Sequence, residues 1–222
     1  MYPQKRLTIL CGHYGSGKTN VAVNIAMDLR RTRDNVAVAD LDIVNPYFRT
    51  KDSTSLFEDA GIRLICSPYA NSNVDIPALP QEMYALTDDR RITAVLDIGG
   101  DDRGALVLGR LAPAIRKEGD YEMLMVINQY RPLTRDADST MEVLHEIETA
   151  GGIPFTGLVN NSNLGADTTA EDVLASVPYA EAVSRASGLP VVMTSVREDL
   201  YAAVADRVPN PFALGLQRNK YL

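Results

Sequence analysis

The chain has 222 residues, 45% hydrophobic and 23% charged, which suits one globular domain over residues 1–222 and excludes a largely disordered polymer. A formal net charge of -7 works against a broad phosphate-neutralising face, so nucleic acid is not an expected partner. No apolar stretch reaches the roughly 20 residues of a membrane span, and the one behind Lys5 and Arg6 is too short for a secretory core, so the cytoplasm is the expected compartment.

The first predicted strand, "LTILC", runs into "GHYGSGKT", residues 12–19. Gly12, Gly17, Lys18 and Thr19 satisfy G-x-x-x-x-G-K-S/T in the strand-to-helix context that gives the pattern its meaning. Glycines at such a turn let backbone N–H groups face a phosphate chain, the helix N-terminus adds positive potential, and the lysine reaches the terminal phosphates. Thr19 offers a hydroxyl to Mg2+. The following "KTNVAVNIAMDLRRTR" sets Val21, Ile25 and Leu29 on one stripe and crowds Arg30, Arg31 and Arg33 at the end, as in an amphipathic helix.

A second strand, "NVAVADLD", carries Asp40 and Asp42 one residue apart, so both point the same way, and Asp42 stands where the strand leaves the sheet. They are candidates for an acidic cluster beside the metal. Asp42 then either binds a phosphoryl acceptor or orients an attacking water. The third strand is "GIRLICS", and the proline- and asparagine-containing stretch 67–86 after it reads as an irregular excursion beside the sheet. "ITAVLDIGGD" ends an apolar strand at Asp97, a second metal-side carboxylate, with Gly99 and Gly100 in a turn able to sense a γ-phosphate.

"YEMLMVIN" is the next strand. The helix "TMEVLHEIETAGG" follows, with Met141, Leu144, Ile147 and Glu148 dividing its faces, Gly151 and Gly152 stopping it, and His145 as a packing or surface residue. "FTGLVNN" and "PVVMT" are the last strands, with a helix expected after them. Alternation of β-branched runs with helical patterns predicts an α/β fold: a mostly parallel sheet covered by helices on both faces, in the three-layer arrangement of P-loop nucleotide-binding proteins. Cys11 and Cys66 are far apart and form no C-x-x-C or C-x-C, so neither a disulfide framework nor a cysteine metal site is expected.

The lysine-to-Asp42 spacing, the "DLD" pair, the "DIGG" turn and "TGLVNNSN" together resemble the MinD/ParA family of P-loop ATPases, which includes the nitrogenase iron protein and accessory ATPases of metalloenzyme maturation. The resemblance runs from residue 6 to at least residue 161. It implies ATP on Gly12, His13, Tyr14, Gly15, Ser16, Gly17, Lys18 and Thr19, with Asn20 adjoining and Asn161 reading the adenine. It further implies Mg2+ held by Thr19 with Asp42 and Asp97 nearby, Lys18 and Asp42 as catalytic residues, and Asp42 positioning the hydrolytic water. The family loop usually reads K-G-G-x-G-K-S/T, whose first lysine reaches across a nucleotide-sandwiched dimer; His13 and Tyr14 depart from that pattern.

The implied protein is a Mg-dependent ATPase that slowly hydrolyses ATP to ADP and so switches its affinity for a protein partner, with a nucleotide-dependent homodimer as one expected form. Segments 42–51 and 97–104 would move, with Tyr47, Phe48 and Arg49 as partner contacts or as residues packing the loop. The alternative is a small-molecule phosphotransferase or ATP-dependent ligase, with residues 67–86 as a lid and Arg49, Arg103 and Arg110 available for an acceptor. The cysteine pairs of iron–sulfur and nickel carriers are missing. The ending "NPFALGLQRNKYL", broken by Pro211 and Gly215, is a poor amphipathic membrane anchor.

Overall fold

The computed structural model describes residues 5–41, 54–66, 81–100 and 102–216. Along the chain run β1 (Leu7–Cys11), α1 (Lys18–Arg30), β2 (Val36–Leu41), α2 (Thr54–Ala60), β3 (Arg63–Cys66), α3 (Gln81–Asp88), β4 (Thr93–Ile98) and α4 (Asp102–Glu118). Then come β5 (Tyr121–Ile127), α5 (Ala137–Gly151), β6 (Gly157–Asn160), α6 (Ala170–Ala175), α7 (Val177–Ser187), β7 (Val191–Arg197), α8 (Glu198–Val204) and β8 (Pro211–Leu214). The strands form one eight-stranded sheet in the order β3-β2-β4-β1-β5-β6-β7-β8, and every neighbouring pair is parallel. All carboxyl ends therefore open on one edge, where open α/β sheets place their ligands.

Strand periodicity sorts the core into two layers. Leu7, Ile9, Cys11, Ala94, Leu96, Met123 and Met125 face one side, where they meet Met83 of α3, Leu108 and Leu111 of α4, Leu144 of α5 and Val183 of α7. Leu10, Val38, Val95, Leu124 and Val126 face the other, against Val21, Ile25 and Leu29 of α1 and Phe57 of α2. Both faces are covered, which is why β1, β2 and β4 are buried along their whole length and read as continuous apolar runs. A smaller cluster of Val173, Val196, Val204 and Val208 seals α6 and α8 to β7.

The seven strands expected from sequence are present in order, and the expected helix after the last of them is α8. Two elements go beyond that reading. Residues 81–88, which begin inside the stretch read as irregular and run two residues past it, form α3, while 67–80 lie outside the described residues. The tail read as a poor anchor contributes β8, a four-residue edge strand that starts at Pro211, where a missing N–H costs the ladder least. Asn24 of α1 receives it: Nδ2 donates to the Gly215 carbonyl at 2.9 Å and Oδ1 accepts from the Gly215 N–H at 2.9 Å. Helix α5 opens on a capping box between Asp136 and Ser139 and ends at Gly152, whose φ of 65° suits a residue without Cβ. Among the described residues no helix is long and apolar enough to cross a membrane.

At the amino edge of the sheet, Arg6 is 8% exposed and fully engaged. Its Nε and Nη2 donate to the two carboxylate oxygens of Glu118, and Nη1 donates to the carbonyls of Ile92 at 2.7 Å and Leu86 at 2.8 Å. One guanidinium thus ties β1 to the ends of α3 and α4. Truncating it leaves Glu118 buried and unpaired, so Arg6→Ala is expected to cost about 3–5 kcal/mol, read from the urea midpoint. The double change Arg6→Met with Glu118→Leu, which removes both charges, should cost clearly less.

Candidate phosphate-binding site

Residues 12–17 fold into a tight loop between β1 and α1. Ser16 N–H donates to the His13 carbonyl at 3.1 Å, and Gly17 adopts a left-handed φ of 86° as it caps α1. No side chain caps that helix and its first turn has no acidic residue, so the positive end of α1 faces the loop without a compensating side chain of its own. Close packing fixes the loop from three directions. A Cβ on Gly12 would lie 2.4 Å from the Val126 carbonyl oxygen, and one on Gly17 2.3 Å from Asn161 Nδ2. One on Gly100 would lie 2.7 Å from Tyr14 N and 2.9 Å from Lys18 Nζ. The Gly99–Gly100 turn is thereby in direct contact with the loop.

Lys18 is 6% exposed, and its ammonium donates to the His13 carbonyl at 3.4 Å. A buried ammonium has three donors and needs acceptors for them. Among the described residues Ser16 Oγ, also buried, has no hydrogen-bond partner. Thr19 Oγ1 donates to Asp97 Oδ2 at 2.7 Å, so the two expected metal-side groups are brought together. Asp40, 5% exposed, is the register partner of Asp97 on the adjacent strand, and both lie on the α1 face by strand alternation. Asp42, Tyr47, Phe48 and Arg49 lie outside the described residues.

Asn161 ends β6 as a clamp. Its Nδ2 donates to the Ser16 carbonyl at 2.7 Å, its Oδ1 accepts from Ser195 Oγ at 2.7 Å, and its N–H donates to the Ile127 carbonyl at 2.9 Å. Through its side chain this residue couples the loop to β7, and through its backbone it is held to β5. The role implied for it by resemblance, contact with a base, therefore falls on an amide with one hydrogen and one lone pair to offer.

A cavity of about 410 Å³ opens beside the loop, lined by Tyr14, Gly15, Gly17, Lys18, Thr19 and Asn20 on one side. His13 turns its ring onto its own backbone, with Nδ1–H donating to the Tyr14 carbonyl at 2.9 Å, and Tyr14 is 57% exposed at the mouth. The opposite wall holds residues the sequence reading did not single out, among them Arg131, Asn163, Ser195, Arg197 and Leu216. Each sits within the last three residues of a strand or just beyond its carboxyl end, the one signal that would have marked them. Arg110 lies exposed on α4 and does not line this cavity, and the side chain of Arg103 is outside the described residues.

No protein-family model and no curated protein matches the chain. Solved structures do. FtsY from Mycoplasma mycoides aligns over 86% of this chain and 60% of its own, with a TM-score of 0.54 at 14% identity. FtsY from Thermotoga maritima aligns over 85% and 61%, with 0.54 at 18% identity. The signal recognition particle 54 kDa protein of Aeropyrum pernix, solved in complex with GDP, aligns over 86% and 41%, with 0.52 at 17% identity. The chain spans about 60% of the length of those FtsY structures. What it shares with them is the α/β fold of P-loop nucleotide-binding proteins.

Two outcomes follow. Asn161→Ala removes the side-chain donor to the Ser16 carbonyl and leaves the Ser195 hydroxyl only the Asn160 carbonyl at 3.2 Å, and a loss of about 1–3 kcal/mol is expected in denaturant unfolding. Burial pushes the Cys11 thiol up to about 12, against a lowering by Lys18 and with a further rise from Asp97. At pH 8 the thiol is then neutral to within roughly one part in ten thousand, so native Cys11 should resist a disulfide reagent that reaches it in urea, as followed by peptide mass.

Proposed function

We propose that this chain is a single nucleotide-binding domain that holds ATP with Mg2+ on residues 12–19 and hydrolyses it slowly, as a switch for a protein partner in the cytoplasm. The observation that carries the reading is Lys18. Its buried ammonium lies at the start of α1, where no side chain caps the helix, beside an open cavity, with one long hydrogen bond among the described residues. An oligophosphate supplies the acceptors that this ammonium needs, at the positive end of a helix.

The residues present also fit a hard divalent ion. Thr19 and Asp97 offer oxygen donors already in contact, a donor type that suits Mg2+, with phosphate and water completing its shell. Bound there, the ion would polarise phosphate oxygens and offset charge as it develops. Lys18 and the loop N–H groups bind and orient the phosphates. Asp42, by its place in the sequence, orients the water. Contact between the Gly99–Gly100 turn and the loop gives a route by which loss of a terminal phosphate alters the protein surface.

ATP follows from the resemblance at Asn161, whereas the fold neighbour solved with GDP makes guanine the competing outcome. Titration with ATP and GTP, each with Mg2+, decides between them. Lys18→Ala should weaken the preferred nucleotide about a hundredfold, on the order of 3 kcal/mol, and unchanged binding would overturn the loop assignment. For the switch itself the expected result is a change in solution mass of Asp42→Asn, by light scattering, with ATP and not with ADP. A protein that stays monomeric while an added acceptor accelerates ADP release is instead a phosphotransferase.

A further inference from the structure

The cavity has two cations placed for phosphate, and the sequence reading assigned one of them. Arg131 follows β5, more than a hundred residues from the loop, and its Nε donates to the Gly15 carbonyl at 2.8 Å. The side chain lies along the loop: a Cβ on Gly15 would be 3.5 Å from Nε and 3.9 Å from Cζ. Among the described residues Nη1 and Nη2 make no hydrogen bond or ion pair. Arg197, the other arginine of the lining, is different, because Asp199 and the carbonyls of Gly165 and Ala166 occupy it.

The backbone that presents Arg131 is held by Asn128, which is fully buried. Asn128 Oδ1 accepts from the Tyr130 N–H at 3.0 Å, and its carbonyl accepts from the Arg131 N–H at 3.1 Å and from Thr134 Oγ1 at 2.8 Å. Tyr130 Oη donates to the Asp172 carbonyl at 2.8 Å, which fixes the turn to α6. A guanidinium anchored at Nε on a rigid turn has lost much of its rotamer freedom before a ligand arrives, and its remaining donors keep the planar fork that suits phosphate.

We infer that Arg131 is a phosphate-binding residue supplied by the chain itself, with Nη1 and Nη2 donating to the oligophosphate held on residues 12–19. The inference rests on the nucleotide reading above. It assigns a role to a residue outside the loop motif, and it pairs Lys18, a compact charge at the helix end, with a fork across the loop.

The test is titration of wild type, Arg131→Gln, Arg131→Lys and Lys18→Ala with ATP and ADP in Mg2+, at low and high salt, after thermal melts show the variants folded. Arg131→Gln should weaken both nucleotides by on the order of tenfold to a hundredfold, and Arg131→Lys should recover part of that loss. The gap between wild type and Arg131→Gln should narrow in high salt, as a charge contact does. Binding by Arg131→Gln within about twofold of wild type overturns the inference. So do equal losses in the Gln and Lys variants with no salt dependence, which would make Arg131 a pin for the loop alone. A wild type that binds no nucleotide, or is indifferent to Lys18→Ala, refutes the nucleotide reading instead and takes the inference with it.

Discussion

The backbone where β1 ends has no room for a side chain, and the site is organised around that crowding. Gly12 approaches Val126 of β5, Gly17 approaches Asn161 at the end of β6, and Gly100 after β4 approaches the loop itself. All three contacts are shorter than any Cβ could tolerate, and together they press the loop against the strands on either side of β1. Parallel pairing is what makes this possible, because β4, β1, β5 and β6 deliver their carboxyl ends side by side. Thr19 then meets Asp97, and Asn161 meets Ser16, without any long-range adjustment of the chain.

Much of this was legible before the fold was known, and the boundary of legibility has a physical cause. Strands buried on both faces produce unbroken apolar runs, so "LTILC" and "TAVLDI" announce themselves. The loop is legible because its chemistry is contiguous: one covalent stretch carries the glycines, the lysine and the threonine. Strand β8 is different. It pairs on one side with β7, begins with proline and has four residues, too few to establish a period. The excursion at 67–86 hides α3 for a related reason, since its prolines and asparagines precede the helix and dominate the composition of the window.

Tertiary contacts were beyond the sequence altogether. Nothing local ties Arg131 to Gly15 or Ser195 to Asn161; those meetings follow from the order in which the strands assemble. The Asp97 and Thr19 pairing was foreseen because each belongs to its own recognisable pattern. Arg131 belongs to none, and its turn, "NQYRP", reads as an ordinary proline-bearing connection. The asymmetry is general: a motif reports what a segment does alone, and a wall of a cavity is made by segments that do little alone.

The two ends of the sheet treat a buried cation in opposite ways, and the contrast supports the phosphate reading proposed for the carboxyl edge. At the amino edge Arg6 meets a carboxylate and two backbone carbonyls at close range, so its charge is compensated within the protein. At the carboxyl edge Lys18 has, among the described residues, one carbonyl at 3.4 Å, and the fork of the half-buried Arg131 is anchored at Nε. Desolvating a charge without matching acceptors is unfavourable, and among the described residues no carboxylate pairs with the buried Lys18, a balance that the proposed phosphate ligand would complete. The same reasoning bears on the proposed ligand: a cavity of about 410 Å³ lined on one side by Gly15, Gly17, Lys18 and Thr19 suits a group with several acidic oxygens, and an oligophosphate meets that demand where a single carboxylate would not.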